Sequence, residues 1–399
     1  MAKTSFSSCK VKIKVRALAA ILLAVQLLLG CSSKTPLAEG PASPSAAPAT
    51  ATYTVTVSPT ASSNPTLTAT ATHTPTPTQT PTPTKTPEPL PVFTTKALRP
   101  GVVPLTYIPD ACVYLNRRWA ADASPPGTVV VPVMFHSIVK SGRPVTDPKD
   151  ISEEQFQAFV LYANYLGFET ITPQQLLGFL ENNDPIPSRS MLLILDDRRP
   201  GVARDNFMPV LQANNWMLTL AYIADPNSMQ WAMEEVKRLF TENGHLDVQS
   251  HGYSGQLYII EQTTAEEIQH EIWDSTQVLE SNFGQRPLAF IWPGGNFSAL
   301  AVQVAREGGY RLGFTAYSRG PVMFNWVPQG ELEQAIHDPR MLLPRAWSNS
   351  VNVNLDEAVK VAGQAVEEAR QQYPSEAEYY RTYCGGELPK LESIMTPMP

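Results

Sequence analysis

Two carboxylates stand side by side, Asp196-Asp197, at the end of the apolar run 191–195. His136 follows the run 128–135, His251 lies just past the run 246–249, and Arg345 ends the segment Leu342-Leu343-Pro344-Arg345. Neighbouring residues at a strand end point to opposite sides, so the two aspartates can divide a task. One can bind a metal ion with His251 while the other takes a proton from the metal-bound water, as metal-assisted hydrolysis requires. An Asp-Asp pair alone reads as a helix cap or a turn; two histidines at equivalent depth favour a site.

These side chains converge only if their strands end on one edge. Strand-like runs fall at 128–135, 168–172, 191–195, 217–223, 246–249, 288–292 and 312–316. Helix-like segments separate them at 173–180, 202–214, 228–242, 265–283 and 299–307, with a helix start at Ser152-Glu153-Glu154-Gln155 and a last helix over 356–371. Short buried strands alternating with helices predict a parallel α/β architecture. About seven strands suit a distorted, incomplete (β/α) barrel better than a dinucleotide-binding sheet, because no G-x-G-x-x-G follows an early strand. Chemistry in such barrels sits at the C-terminal strand ends, where His136, Asp196, Asp197, His251 and the Trp292-Pro293-Gly294-Gly295-Asn296 turn all fall.

Of the 37 prolines, fourteen fall between Cys31 and Pro100. Residues 1–30 carry Lys3, Lys10, Lys12, Lys14 and Arg16, no acidic residue, and an apolar stretch too short for a comfortable membrane span, which predicts an export signal. Its loss takes the net charge from −7 to −12, and an acidic chain without a long basic run argues against a nucleic-acid partner. Residues 31–98 are rich in Thr, Pro, Ser and Ala and read as a disordered, semi-rigid linker. The remaining organisation expected is a pre-domain segment at 99–126, the barrel at 127–350, and a C-terminal helix and tail at 351–399. Cys112 and Cys384 lie near the two ends of the folded part, and whether they pair is open at this level.

The Leu28-Leu29-Gly30-Cys31 ending resembles the bacterial lipobox, which implies a lipid on Cys31, membrane attachment through it, and a place in the bacterial cell envelope outside the cytoplasm. From 129 to 347 the chain resembles the polysaccharide deacetylase, or NodB-homology, family (carbohydrate esterase family 4). The resemblance rests on Leu195-Asp196-Asp197, Ser250-His251 and Pro293-Gly294-Gly295. Met134-Phe135-His136 and Leu343-Pro344-Arg345 draw it toward the poly-N-acetylglucosamine deacetylase branch. The resemblance implies Asp196 as general base, Asp197 and His251 as ligands of zinc or a similar divalent metal, His136 as general acid and Arg345 as a carboxylate-positioning group. Trp292, Pro293, Gly294, Gly295 and Asn296, with Tyr253, would bind the sugar. The implied reaction is hydrolysis of the acetamide of N-acetylhexosamine units in an envelope or extracellular polysaccharide.

Two departures divide the reading. The family's third metal ligand falls on Gly255, and among six histidines only His337 is left as a substitute: His73 lies in the linker, His245 at the opposite strand end, and His270 on a solvated helix face. Arg198-Arg199 follows the aspartates where the family has glycine, and a guanidinium there can pair with Asp197 in place of the ion. An active metal-dependent deacetylase, a degenerate deacetylase fold that binds or scaffolds carbohydrate, and a glycoside hydrolase with paired carboxylates therefore stand side by side. Trp292, Trp326, Trp347, Tyr253 and Tyr317 serve the first two readings equally, as sugar-stacking residues or as core. The sequence does not fix the oligomeric state.

Overall fold

The structure, a computed structural model, describes residues 88–255 and 258–391. The expected export signal, Cys31 and most of the expected linker lie outside the described residues. Seven parallel strands form a curled half-barrel: β1 (Val129–Phe135), β2 (Arg189–Asp196), β3 (Leu218–Tyr222), β4 (Leu246–Ser250), β5 (Ala289–Ile291), β6 (Leu312–Phe314) and β7 (Ala346–Trp347). Their order across the sheet is β6-β5-β4-β3-β2-β1-β7, the parallel βα architecture that the alternation predicts.

The centre is the β1–β2 pair, in register from Val129↔Arg189 to Phe135↔Leu195. Every β1 residue is buried, as a β-branched run covered on both faces must be. Val130 exchanges both backbone bonds with Val322 on its outer side, so Pro132, two residues on, turns its imide nitrogen the same way. That places a residue with no ladder donor away from β2, before β7 begins opposite Val133. The 168–172 run gives only Glu169–Thr170, paired beside Ser190 and Met191 off the main path; the seventh strand is β7 instead. Leu343 bridges to Phe314 of β6 and Ala346-Trp347 pairs with β1, so this one segment touches both edges of the sheet and carries Arg345 between them.

Helix starts follow local capping chemistry. Ser152 with Gln155, Thr172 with Gln175 and Thr264 with Glu267 each make a reciprocal capping box. The last helix runs from Val351 to Tyr379, well beyond 356–371 and through Pro374. An interior proline costs about 3 kcal/mol, but packing flanks it on both sides. Val351, Leu355, Ala358, Val361, Ala362 and Ala365 join the main core. Beyond the proline, Glu376 is buried against Trp119 Nε1 (2.6 Å) and Arg118 (3.1 Å). Cys112 and Cys384 are bonded, tying helix Ala111–Arg118 to this C-terminal segment. Folded contacts also begin upstream of residue 98: Trp326 Nε1 donates to the Phe93 carbonyl (2.9 Å).

Candidate functional site

The strand ends bring together His136, Asp196, Asp197, His251 and Arg345. Asp196 closes β2 and is 2% exposed; Arg345, 1% exposed, donates from Nη1 to its Oδ1 (2.7 Å) and from Nε to the Thr315 carbonyl (2.6 Å). The other oxygen, Oδ2, lies 3.8 Å from His136 Nε2 and 3.9 Å from His251 Nε2. Burial pushes the Asp196 carboxyl up, but Arg345 and then the two histidines outweigh it and hold the group below its ordinary value. Asp196 is therefore a buried, ionised carboxylate aimed at two imidazoles.

Asp197 does not point away from Asp196 as strand alternation predicts. Its φ is +70°, a left-handed conformation that Asp tolerates better than most residues. The strand pattern is broken there, and Asp197 Oδ1 comes to 3.8 Å from His251 Nε2. His251 Nδ1 lies 2.8 Å from the Ile291 carbonyl; a carbonyl only accepts, so Nδ1 carries hydrogen and Nε2 faces both aspartates. Two carboxylates and one imidazole nitrogen thus share one focus.

The second arginine of the Arg198-Arg199 pair borders this focus, on the other oxygen of Asp197. Arg199 donates from Nη2 (2.9 Å) and Nε (3.2 Å) to Asp197 Oδ2 and from Nη1 to Ser137 Oγ. Arg198 turns elsewhere, to the Ile223 carbonyl (2.8 Å) and Ser228 Oγ (3.0 Å). The His251–Gly255 loop is anchored from behind, where the buried Glu271 carboxylate accepts from the amides of Tyr253 (2.8 Å) and Ser254 (3.1 Å).

The donor set for a divalent metal ends at Asp197 and His251. Gly255 has φ +65°, and a Cβ there would lie 2.8 Å from both Cγ1 and Cγ2 of Ile223, so a side chain at the third position is strained and requires Ile223 to move. His337, the substitute, is exposed in the turn leading into Pro339–Met341. Among the described residues no three His, Cys, Asp or Glu side chains form a metal-holding group. Catalytic zinc takes three protein ligands plus water, and the residues present do not make that set. A second free carboxylate for glycosidic chemistry is likewise missing from the described site, because Asp197 is held by Arg199 and Glu271 by loop amides.

The expected sugar wall needs correction at Trp292. It is fully buried, donates to the Met341 carbonyl (2.8 Å) and packs edge-on against Phe290 at 4.8 Å; it is core. Pro293 and Gly295 are buried, Gly294 is exposed and Asn296 half-buried. Tyr253 packs on His270 at 4.5 Å. Trp326 is buried against Phe93, whereas Trp347 lies parallel to His136, 6.4 Å between ring centroids. Tyr258, 60% exposed, lies over Gly294, where a Cβ would come within 2.5 Å of its ring. Nothing local marks this tyrosine for the site, because it stands in the apolar run Leu257-Tyr258-Ile259-Ile260, where an aromatic reads as packing. His136 is 8% exposed, its Nδ1 has no hydrogen-bond partner, and burial holds its imidazole below the ordinary value against the pull of Asp196 and Asp197.

A family model for polysaccharide deacetylases matches residues 183–313. A curated protein of Bacillus subtilis (strain 168), YxkH, whose name assigns it provisionally to the polysaccharide deacetylases, is 22% identical over 190 residues. The match spans 46% of this chain and 64% of that relative. Among solved structures, the Streptococcus pyogenes deacetylase PplD in complex with acetate aligns with 58% of this chain and 98% of its own (18% identity, TM-score 0.47). IcaB from Ammonifex degensii aligns with 60% and 97% (19% identity, TM-score 0.46).

Proposed function

We propose, from the match of residues 183–313 to the polysaccharide deacetylase family, that the strand-end site binds a polymer of N-acetylated amino sugars. The protein would do so outside the cytoplasm, exported by residues 1–30 and held at the envelope by a lipid on Cys31, with the Thr- and Pro-rich stretch expected at 31–98 as a spacer. One observation carries the binding reading: His136 Nδ1, in a residue 8% exposed, has no partner. Buried polar atoms are nearly always satisfied, so an imidazole with an unsatisfied Nδ1, whose Nε2 lies 3.8 Å from Asp196 Oδ2 and beyond hydrogen-bond reach of it, argues for a ligand that completes the set. An acetamide offers one N–H and one carbonyl to this set of carboxylate, imidazole and guanidinium groups. Trp347, parallel to His136, and Tyr258, over Gly294, provide aromatic faces for sugar rings.

A hydrolytic reading is favoured by Asp196, a buried ionised carboxylate between Arg345 and two histidines as a general base requires. Against it, burial depresses His136, so near neutral pH the imidazole lacks the proton that an acid must give. The test is calorimetric titration with N-acetylglucosamine oligomers and their de-acetylated counterparts, with acetate measured in parallel. The binding reading expects affinity for the acetylated oligomer alone, its loss in His136→Phe, and no acetate release. Equal affinity for both oligomers overturns the acetamide assignment, and catalytic acetate release establishes the hydrolytic reading instead.

A further inference from the structure

We propose that Arg199 is the resident cation of this site: from the other oxygen of the carboxylate it neutralises Asp197 in place of a divalent metal and, through its remaining N–H groups, meets the carbonyl oxygen of the bound acetamide. The inference rests on the binding reading for its ligand, and its test separates the two.

Three observations carry it. First, charge at the focus is already balanced, since Asp196 is paired with Arg345 at 2.7 Å and Asp197 with Arg199 at 2.9 Å. A dication placed between Asp197 Oδ1 and His251 Nε2, which are 3.8 Å apart, would sit beside a fixed guanidinium that holds the other oxygen of the same carboxylate. Second, the third ligand position is plugged as well as empty of a donor. Ile223, just past the end of β3, fills the space into which a side chain at Gly255 would project. Restoring a histidine there meets carbon on a neighbouring strand end, on a backbone at φ +65°. Third, Arg199 has donors to give. Of the five N–H groups of a guanidinium, Nε, one on Nη2 and one on Nη1 serve Asp197 and Ser137, which leaves two. Its side chain is 28% exposed, so the group is held in place and still open to a ligand. A planar, always-charged fork aimed by two anchors is suited to a carbonyl oxygen, where a lysine would be a loose point charge.

The experiment uses the exported chain dialysed against EDTA and then titrated with an N-acetylglucosamine oligomer, in EDTA and in added zinc, with zinc binding measured separately by calorimetry. Wild type is expected to bind the oligomer with the same affinity in EDTA and in zinc and to bind no zinc. Arg199→Met should lose about tenfold or more in oligomer affinity, with Arg199→Lys only partly restoring it and the thermal midpoint nearly unchanged. Gly255→His alone should gain no zinc, because Ile223 blocks it. The Arg199→Ser/Ile223→Ala/Gly255→His combination should bind zinc at least about a hundredfold tighter than wild type. One equivalent of zinc on wild type, or oligomer binding that requires zinc, overturns the inference while leaving the binding reading standing. No oligomer binding under any condition overturns the reading itself, and full affinity in Arg199→Met removes the proposed carbonyl contact. The wild-type comparison decides the metal question even if the combined variant fails to fold.

Discussion

Replacing Arg345 with methionine should cost more than any other single change at the site. Arg345 and Asp196 are 1% and 2% exposed and 2.7 Å apart, so the variant buries a carboxylate without its partner and also orphans the Thr315 carbonyl, which Arg345 Nε satisfies at 2.6 Å. Breaking a buried pair by removing one member costs about 3–5 kcal/mol. The pH dependence should change as well. In wild type the folded Asp196 lies below its ordinary value; its contribution is complete above about pH 4 and is lost only on acidification through the folded value. Without Arg345 the burial effect, which raises the group, opposes only the two histidines. The folded value then lies above the unfolded one, and stability falls as pH rises toward it. Arg345→Met should therefore be more destabilised at pH 8 than at pH 5, whereas the Arg345→Met/Asp196→Asn double variant should recover about 2 kcal/mol or more and lose that slope. Urea unfolding followed by tryptophan fluorescence at the two pH values measures all four corners of the cycle. A loss under about 1 kcal/mol at both pH values, or a double variant no better than the single, would refute the buried-pair argument.

Two further perturbations lie away from the mouth. Burial pushes the Asp247 carboxyl up to about 6; a raised acid stabilises while protonated, and that contribution disappears as pH rises from about 4 through 6. Asp247→Asn keeps an acceptor for Gln249 Nε2 (2.9 Å) and should stabilise by about 1–3 kcal/mol at pH 8 and by almost nothing near pH 4, read from urea midpoints. Cys112 and Cys384 are bonded across a sequence separation of 272 residues. Cys112→Ser/Cys384→Ser should lose about 2–5 kcal/mol of stability with oligomer affinity unchanged, because helix Ala111–Arg118 reaches the chain ahead of β2, where Asn183 Nδ2 donates to the Arg117 carbonyl, and not the strand ends.

The strands and their order of function were legible because burial on both faces leaves an unbroken apolar signature. The 128–135 and 191–195 runs became β1 and β2 nearly residue for residue, and Ser152-Glu153-Glu154-Gln155 announced its helix through local hydrogen bonds alone. His136, Asp196 and His251 followed, since a residue that ends a parallel strand has its height in the barrel set by the strand. What lay past the strand ends was harder. Trp292 reads as a groove wall yet turns into the core, because nothing local fixes where a side chain points once the ladder stops. Asp197 escapes alternation through a positive φ that the sequence hints at only by being Asp. Ile223 and Gly255 meet because β3 and β4 are neighbours, with Tyr222 opposite Ser250; the pairing becomes visible only once strand order is known. The last helix, expected over 356–371, runs on through Pro374 to Tyr379 because tertiary packing outweighs the proline.

This strand-end site should hold an acetylated sugar by its own side chains. The most direct measurement is titration of the EDTA-dialysed wild-type chain with an N-acetylglucosamine oligomer, with acetate and bound metal quantified in the same samples. Saturable binding with no metal and no acetate is the predicted result. Binding that appears only when a divalent metal is returned, accompanied by release of acetate, would contradict it.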